Sequence, residues 1–380
     1  MTLPMRPTRM PDRMLKMPSI PRLKFLAVAI VTAAATMVLP DQALALAIAR
    51  CEWSMGTGPL LYTADLGTFW VPRDAEIGTK IASLNRLPIL QQPGVQLICD
   101  NDGSRLLTAT VNTPRPIEPG TLPPVDGKDV TGKVLRTSIP GVGLYVELGI
   151  PFNGHANNHF KPTDGKGAVP FVSEHQEHMR PSYLIVNHMV VNYVALIKIG
   201  TIAPGLQAFN DEVARATMSD VGDAARLTLR GQVQQAQCTL KADAVSANPV
   251  QLGTQDIAQF RGVGTTTAPV DFHITLSDCE DDPNGSVARA FMRLDGVNGS
   301  AALDRDRGLF SLTSDSTATG LGIQVLRSDN TPVKLEEFVD MAALTPGNVR
   351  LDLRAQYYQT NNRVTPGLAK GALNFTINYR

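Results

Sequence analysis

The stretch Val270-Asp-Phe-His-Ile-Thr-Leu276 alternates apolar and polar side chains with a period of two. This is the spacing of a β-strand that buries one face and exposes the other. The same alternation recurs in four further runs, at residues 227–233, 322–326, 349–357 and 373–379. The second half of the chain is therefore predicted to consist of strands.

The first half contains shorter β-rich runs that are bounded by Gly, Pro, Asn or Asp, at residues 95–99, 106–111 and 143–148. Residues 183–199 are long enough for two strands or for one long bent strand, with the break at Asn187-His188 or at Asn192. Strands therefore also dominate the predicted structure of this half.

Two segments are predicted to lie outside the strands. Residues 113–132 are rich in Pro and Gly, which predicts a loop. Pro332 to Met341 is the only segment in which we expect helix, over one or two turns.

The composition supports a globular all-β protein. The chain has 380 residues, enough for two domains, of which 43% are hydrophobic and 18% are charged. Lys and Arg total 35 and Asp and Glu also total 35, so the chain lacks the basic excess of a nucleic-acid-binding protein. Its 31 Gly and 27 Pro suit many short strands joined by turns. We therefore expect an all-β fold with two β-sandwich domains in tandem.

Between Glu212 and Ala225, small and acidic residues replace apolar ones, which predicts an interdomain linker. The predicted domains are residues 48–222 and 223–380.

Residues 1–47 have the pattern of a secretory signal peptide. A basic lead precedes the apolar run from Phe25 to Leu39, and small residues follow at Ala43, Ala45 and Ala47. The apolar run is shorter than the roughly 20 residues that span a bilayer. We therefore expect export, with cleavage after Ala45, Ala47 or Ala49. The sequence does not decide which methionine is the true start.

An exported chain with an even number of cysteines is expected to form disulfides. The four cysteines are Cys51, Cys99, Cys238 and Cys279, and the long gap between the second and the third favours sequential pairing. A zinc site would need CxxC or CxxH spacings, which the sequence lacks.

Six segments of the second half form a recognisable series: Gly231–Thr239, Val250–Gly253, Phe272–Cys279, Gly320–Leu326, Ala355–Tyr357 followed by Pro366-Gly367, and Leu373–Arg380. In this order they resemble the pilin subunits of chaperone–usher fimbriae. The first and third segments match the pilin patterns around the two cysteines, and the second matches a pilin strand. The last segment ends in a penultimate tyrosine, Tyr379, as those pilins do.

This resemblance implies an incomplete immunoglobulin-like fold that lacks one strand. A periplasmic pilus chaperone would supply that strand first, and the N-terminal strand of the next fimbrial subunit would replace it at the outer-membrane usher. The apolar face of the last strand, which is Leu373, Phe375, Ile377 and Tyr379, is then the expected contact surface for the chaperone and for that subunit.

The first half is similar to the N-terminal adhesin domain of two-domain tip proteins. Cys51 lies close to the expected mature N-terminus, and the run Val194 to Gly205 is similar to a closing strand of such domains. Cleavage after Ala47 would leave only three residues ahead of Cys51, which span at most about 10 Å. We therefore expect the chain to accept a donor strand without offering one, which places it at the fimbrial tip.

The ligand-binding residues of the first half are not identified by any motif. Trp53 and Trp70 could stack on a sugar ring, although a tryptophan in a sandwich commonly belongs to the core. His155 and His159 are loop candidates for ligand binding.

The histidines are also candidate metal ligands. The spacings of His155 with His159 and of His175 with His178 suit a metal on a helix, but their neighbours predict loops. We favour polar loop and strand histidines, with no metal and no cofactor. No G-x-S-x-G motif occurs, so an enzyme is not expected.

The sequence thus predicts a tip adhesin that is exported through the periplasm to the cell surface. We expect it to mediate cell adhesion by binding a host or surface receptor, with a carbohydrate as the expected class. The alternative is a minor structural subunit or adaptor without receptor-binding activity.

Overall fold

The structure is a computed structural model that describes residues 49–90, 93–179 and 183–380. The predicted signal peptide, residues 1–47, lies outside the described residues. Strands make up nearly all of the regular structure in the described part, as predicted. The exception there is one 3₁₀ turn, Ile257–Gln259. No helix in these ranges is long and apolar enough to cross a membrane.

Thirteen strands begin in the described residues up to Thr239: β1 Arg50–Met55, β2 Leu60–Pro72, β3 Lys80–Leu90, β4 Gln96–Asp100, β5 Leu107–Asn112, β6 Leu135–Arg136, β7 Val142–Leu148, β8 Lys161–Pro162, β9 Phe171–His175, β10 Leu184–Val186, β11 His188–Lys198, β12 Gln207–Met218 and β13 Gly222–Thr239. Eight strands follow: β14 Val270–Glu280, β15 Arg289–Gly296, β16 Ala302–Asp304, β17 Leu309–Ser311, β18 Leu321–Arg327, β19 Val339–Ala343, β20 Gly347–Gln359 and β21 Leu373–Tyr379.

The strands form four sheets in the described part of the chain. The largest has eleven strands in the order β16-β17-β18-β20-β14-β13-β12-β5-β9-β8, with β2 paired to β13. The sheets β1-β4-β10 and β3-β11-β7-β6 contribute to a first core, and the sheet β19-β15-β21 contributes to a second core. Two sandwiches therefore share one long sheet.

The predicted linker is wrong. Residues 212–225 belong to the antiparallel strands β12 and β13, which pair from Gln207↔Val233 to Met218↔Gly222. Their small and acidic residues alternate with buried Val213, Ala216 and Met218, so the segment is a half-buried hairpin.

The strand β13 runs from one core into the other. Its residues up to Val233 belong to the first core, and Ala236 is the first residue of the second core. Strand β2 runs parallel beside it, from Leu60↔Ala225 to Pro72↔Ala236. The division after residue 222 stays a prediction; the two apolar cores meet on β13 between Val233 and Ala236.

The helical turns expected over Pro332 to Met341 are also wrong. Val333 and Leu335 are 0% and 3% exposed, so alternate residues are buried as in an extended chain. The Val333 N–H donates to the carbonyl of Val325 at 3.0 Å, and β19 begins at Val339. Packing on the second core therefore determines the conformation of this segment.

The Pro- and Gly-rich stretch 113–132 is a loop with isolated bridges, as predicted. Leu122, Val125 and Val130 from this loop form a third apolar cluster with Tyr145 and Tyr193, which lie on β7 and β11. The loop therefore covers a second face of these strands, which explains why every residue of β7 is buried.

The disulfides are Cys51–Cys99 and Cys238–Cys279, which is the pairing that the sequence predicts. The first joins directly opposite residues of β1 and β4, and the second joins β13 to β14. Each sandwich therefore has its own cross-link.

Candidate functional site

The last strand, β21, has one paired edge and one edge without a partner strand. Among the described residues it pairs with β15 alone, from Tyr379↔Ala290 to Leu373↔Gly296. Arg380 exchanges both backbone hydrogen bonds with Arg289, at 3.1 and 2.7 Å. Hydrogen-bonded and non-hydrogen-bonded pairs alternate in an antiparallel ladder. The N–H and C=O groups of every second residue therefore point away from β15.

Those residues are Leu373, Phe375, Ile377 and Tyr379, the four that the sequence analysis names. Leu373, Phe375 and Ile377 are half-buried and pack against the second core. The structure thus brings three of them together along one open edge, with apolar side chains directed inward.

An open groove of about 1180 Å³ lies beside this edge. Its lining includes Leu373 and Phe375 and six apolar side chains of the second sandwich: Phe272, Ile274, Phe310, Ile323, Val325 and Leu353. A sandwich normally covers such side chains with a strand. The groove therefore has the shape and the chemistry of a missing strand position.

The groove lining also includes Val250–Gly253, which match a pilin strand in sequence and are therefore predicted to form one. That prediction is wrong, because no strand is assigned over these residues. Leu252 is 9% exposed and belongs to the second core, so the segment keeps its contact with the groove.

At one end of the β21 edge, Tyr379 meets the turn that follows β2. Asp74 N–H donates to the Tyr379 carbonyl at 3.0 Å, and Asp74 Oδ2 accepts from the Tyr379 N–H at 2.9 Å. The Arg73 guanidinium lies 4.7 Å from the centre of the Tyr379 ring, and the Tyr379 hydroxyl donates to the Cys238 carbonyl at 3.3 Å. Tyr379 is therefore held by the first sandwich as well as by the second.

The charges at this contact are mutually stabilising. Burial by itself would raise the pKa of Asp74, but hydrogen bonds from Arg73 and Tyr379 and the charges of Arg73 and Lys198 outweigh it. The pKa of Asp74 therefore lies below its usual value. Burial lowers the pKa of Lys198, and the charge of Asp74 opposes that shift.

Sequence reasoning missed Arg73 and Asp74. Asp74 and Tyr379 are separated by 305 positions in the chain, and neither Arg73 nor Asp74 lies in a recognisable motif. No local pattern could have identified this contact.

The two tryptophans are engaged in packing. Trp53 packs against the first core, and a Cβ added to Gly58 would lie 2.0 Å from its ring. Trp70 packs against the second core although it lies on β2. Both side chains therefore contribute to the packing of the sandwiches.

His155 and His159 lie in one loop and share a partner. The His155 N–H donates to Asn153 Oδ1 at 3.1 Å, and His159 Nδ1 lies 2.8 Å from the same oxygen. Burial, together with the charges of His155 and His188, lowers the pKa of His159. This loop histidine therefore favours its neutral form.

His175 and His178 are placed differently from each other. His175 is 5% exposed and its Nε2 lies 2.6 Å from the Asn157 carbonyl oxygen. His178 is exposed, and its backbone forms an isolated antiparallel β-bridge with Asp102. Within 49–90, 93–179 and 183–380, no three His, Cys, Asp or Glu residues are grouped so that they could hold a metal ion. The structure does not bring the four histidines together as one centre.

The chain is similar in sequence to known fimbrial proteins. The family described as fimbrial protein matches residues 227–380. The fimbrial-like protein YdeS of Escherichia coli K12 is 30% identical over 158 residues, which are 40% of this chain and 85% of YdeS. The fimbrial subunit type 1 of Salmonella typhimurium is 31% identical over 153 residues, which are 39% of this chain and 79% of that protein.

Among solved structures, the CupB6 tip adhesin of Pseudomonas aeruginosa is 15% identical, with coverage of 87% of this chain and 94% of CupB6 and a TM-score of 0.35. That score supports no argument, so the assignment rests on the sequence relatives. The family match covers the region that carries the six motifs, the second disulfide and the groove. The chain therefore belongs to the fimbrial protein family.

Proposed function

We propose that this protein is a fimbrial tip adhesin that is anchored in its fibre by a strand inserted into the groove of the second sandwich. The observation that carries the anchoring step is the edge of β21, where backbone groups without a partner strand border an apolar groove of about 1180 Å³. An exposed strand edge recruits another strand through main-chain hydrogen bonds, and its pockets select alternate side chains.

The occupant is an extended polypeptide segment with apolar residues at every second position. Its backbone would pair with Leu373, Phe375 and Ile377, and its apolar side chains would cover the exposed part of the second core. A periplasmic chaperone supplies this segment before assembly, and the N-terminal strand of the next subunit replaces it at the outer-membrane usher. Fimbrial family membership supports this order of partners.

The first sandwich supports the adhesin part of the proposal. The fimbrial family match begins at residue 227, so most of this sandwich lies ahead of the matched region. It precedes the fimbrial region and has its own core and disulfide. We assign to it the binding of a host or surface receptor, with a carbohydrate as the expected class, at the exposed tip of the fibre.

Charges on the two faces of β21 test the anchoring step. In Phe375→Asp/Ile377→Asp, one carboxylate enters the groove and the other faces the second core, where burying them costs several kcal/mol. In the matched control Thr376→Asp/Asn378→Asp, both charges lie on the polar face of the same strand and neither residue lines the groove. We expect the control to co-purify with a fimbrial chaperone and the groove variant to be degraded. If both variants co-purify and reach fimbriae equally, the groove has no role in assembly.

Receptor binding is tested with the full chain. A fragment of residues 48–222 would lack β13 and its buried Leu227, Leu229 and Val233. The full chain with its chaperone should bind to host cells or to a glycan array. Absence of binding on both, with normal incorporation into fimbriae, would favour the structural subunit over the adhesin.

A further inference from the structure

The free edge of β21 is shorter than the strand itself. Its outward backbone groups belong to Leu373, Phe375, Ile377 and Tyr379, because Arg380 and Ala372 are bonded to the β15 side. Asp74 satisfies both the N–H and the C=O of Tyr379, at 2.9 and 3.0 Å. The edge therefore offers only the backbone groups of three residues to an incoming strand.

Asp74 is held firmly in this position. Arg73 donates two hydrogen bonds to its carboxylate, at 3.1 and 2.9 Å, and stacks on the Tyr379 ring. The backbone of Arg73 is itself fixed, because its N–H donates to the Ala236 carbonyl at 3.1 Å and its C=O accepts from Lys198 Nζ at 2.7 Å. An incoming strand would have to break this whole set of contacts to reach Tyr379.

The groove ends on the same side. Its lining includes Leu373, Asn374 and Phe375 of β21 but neither Ile377 nor Tyr379, and Tyr379 is 2% exposed. The groove therefore ends at Phe375 and the free backbone groups end at Ile377, so both end before Tyr379.

We propose that Arg73 and Asp74 act as a stop that sets the register of the strand inserted into the groove. This inference rests on the proposed function. The inserted strand pairs with Leu373, Phe375 and Ile377 and ends against Asp74. Since side chains alternate along a strand, a slip of one residue would direct the apolar side chains away from the groove. The first sandwich thereby takes part in selecting the segment that anchors the second.

A series of synthetic peptides of increasing length tests whether Arg73 and Asp74 stop the inserted strand. The peptides alternate valine with threonine, carry terminal lysines for solubility, and grow by two residues at the end that faces Tyr379. They are added to the full chain, to Arg73→Ala/Asp74→Ala, and to the control Asp74→Asn, whose side-chain oxygen and backbone N–H keep both bonds to Tyr379. Dissociation constants and residue-resolved amide exchange are measured.

In the wild type and in Asp74→Asn, we expect the extension past Ile377 to leave the dissociation constant unchanged. In the double variant, the backbone N–H of residue 74 still donates to the Tyr379 carbonyl, but the Tyr379 N–H loses the carboxylate that accepted from it. The same extension should then tighten binding by up to about tenfold, since the freed Tyr379 N–H gains one hydrogen bond to the peptide. The Tyr379 amide should be protected in the free wild type and should become protected in the double variant only with the longer peptide.

The following outcomes decide between the alternatives. Tighter binding of the longer peptide to the wild type would overturn the stop, as would an equal lack of gain in the double variant. If the double variant does not fold, fast exchange of the extension residues of the peptide on the wild type supports the stop, and slow exchange overturns it. If no peptide protects Leu373, Phe375 and Ile377, the strand-insertion function itself fails.

Discussion

Two buried tyrosines of the first sandwich should respond with opposite sign to the same substitution. Tyr62 and Tyr145 are each 1% exposed. The Tyr62 hydroxyl has no hydrogen-bond partner among the described residues. The Tyr145 hydroxyl donates to Glu147 Oε1 at 2.7 Å, and Glu147 is itself 5% exposed and bound by Lys128 at 2.9 Å.

The magnitudes follow from these contacts. A buried hydroxyl without a partner costs about 1–3 kcal/mol, so Tyr62→Phe removes that cost and leaves only an oxygen-sized gap. We expect this variant to gain about 1 kcal/mol in the free energy of unfolding. Tyr145→Phe loses a hydrogen bond to a charged group, which costs about 1.5–3 kcal/mol. The two variants should therefore differ by about 3 kcal/mol.

Urea unfolding of the full chain measures this difference, followed by fluorescence of Trp53, which packs on the first core. A Trp70→Phe background removes the second tryptophan, which packs on the second core. If Tyr62→Phe loses as much stability as Tyr145→Phe, the Tyr62 hydroxyl makes a hydrogen bond and the reasoning is refuted.

Two other expectations concern the disulfide of the second sandwich and the acid response of the domain contact. Replacing Cys238 and Cys279 together by alanine should lower the free energy of unfolding by about 4 kcal/mol on the chain-entropy model, and a thermal scan under non-reducing conditions measures it; an unchanged midpoint would contradict the expectation. Because the pKa of Asp74 is lowered in the folded state, its contribution is present above the unfolded pKa of about 4 and is lost as the pH falls through the folded value. The stability gap between the wild type and Asp74→Asn should therefore shrink between pH 7 and pH 3, and a gap that grows on acidification would reverse the assigned sign.

Much of the second sandwich could be predicted from the sequence. Alternation over residues 270–276 and 349–357 identified β14 and β20, and the last strand was predicted with the bounds that the structure has, Leu373–Tyr379. These predictions succeed because a strand that covers a core on one face must repeat its apolar residues with a period of two. The spacing of the cysteines along the chain predicted both disulfides. This succeeded because each pair of cysteines that are neighbours in sequence lies within one sandwich.

The strand predictions were wrong where the composition of a strand hides the two-residue alternation of buried and exposed side chains. Strand β12 was taken for a linker because the acidic residues Asp211 and Glu212 and the small residues Ala214 and Ala216 lie among its few large apolar side chains. Strand β2 was missed because Asp65 and Gly67 interrupt its apolar pattern. In both strands, pairing with β13 stabilises the extended conformation, and no local signal reports that pairing.

The sequence alone therefore determined that the chain is all-β, that its second half resembles fimbrial subunits, and which face of its last strand is apolar. Local alternation and motif order contain that information. Only the tertiary structure decided that β2 and β13 join the two cores and that Asp74 occupies the end of the β21 edge. Hydrogen bonds between residues hundreds of positions apart depend on how all the strands pack together, and a local pattern does not encode them.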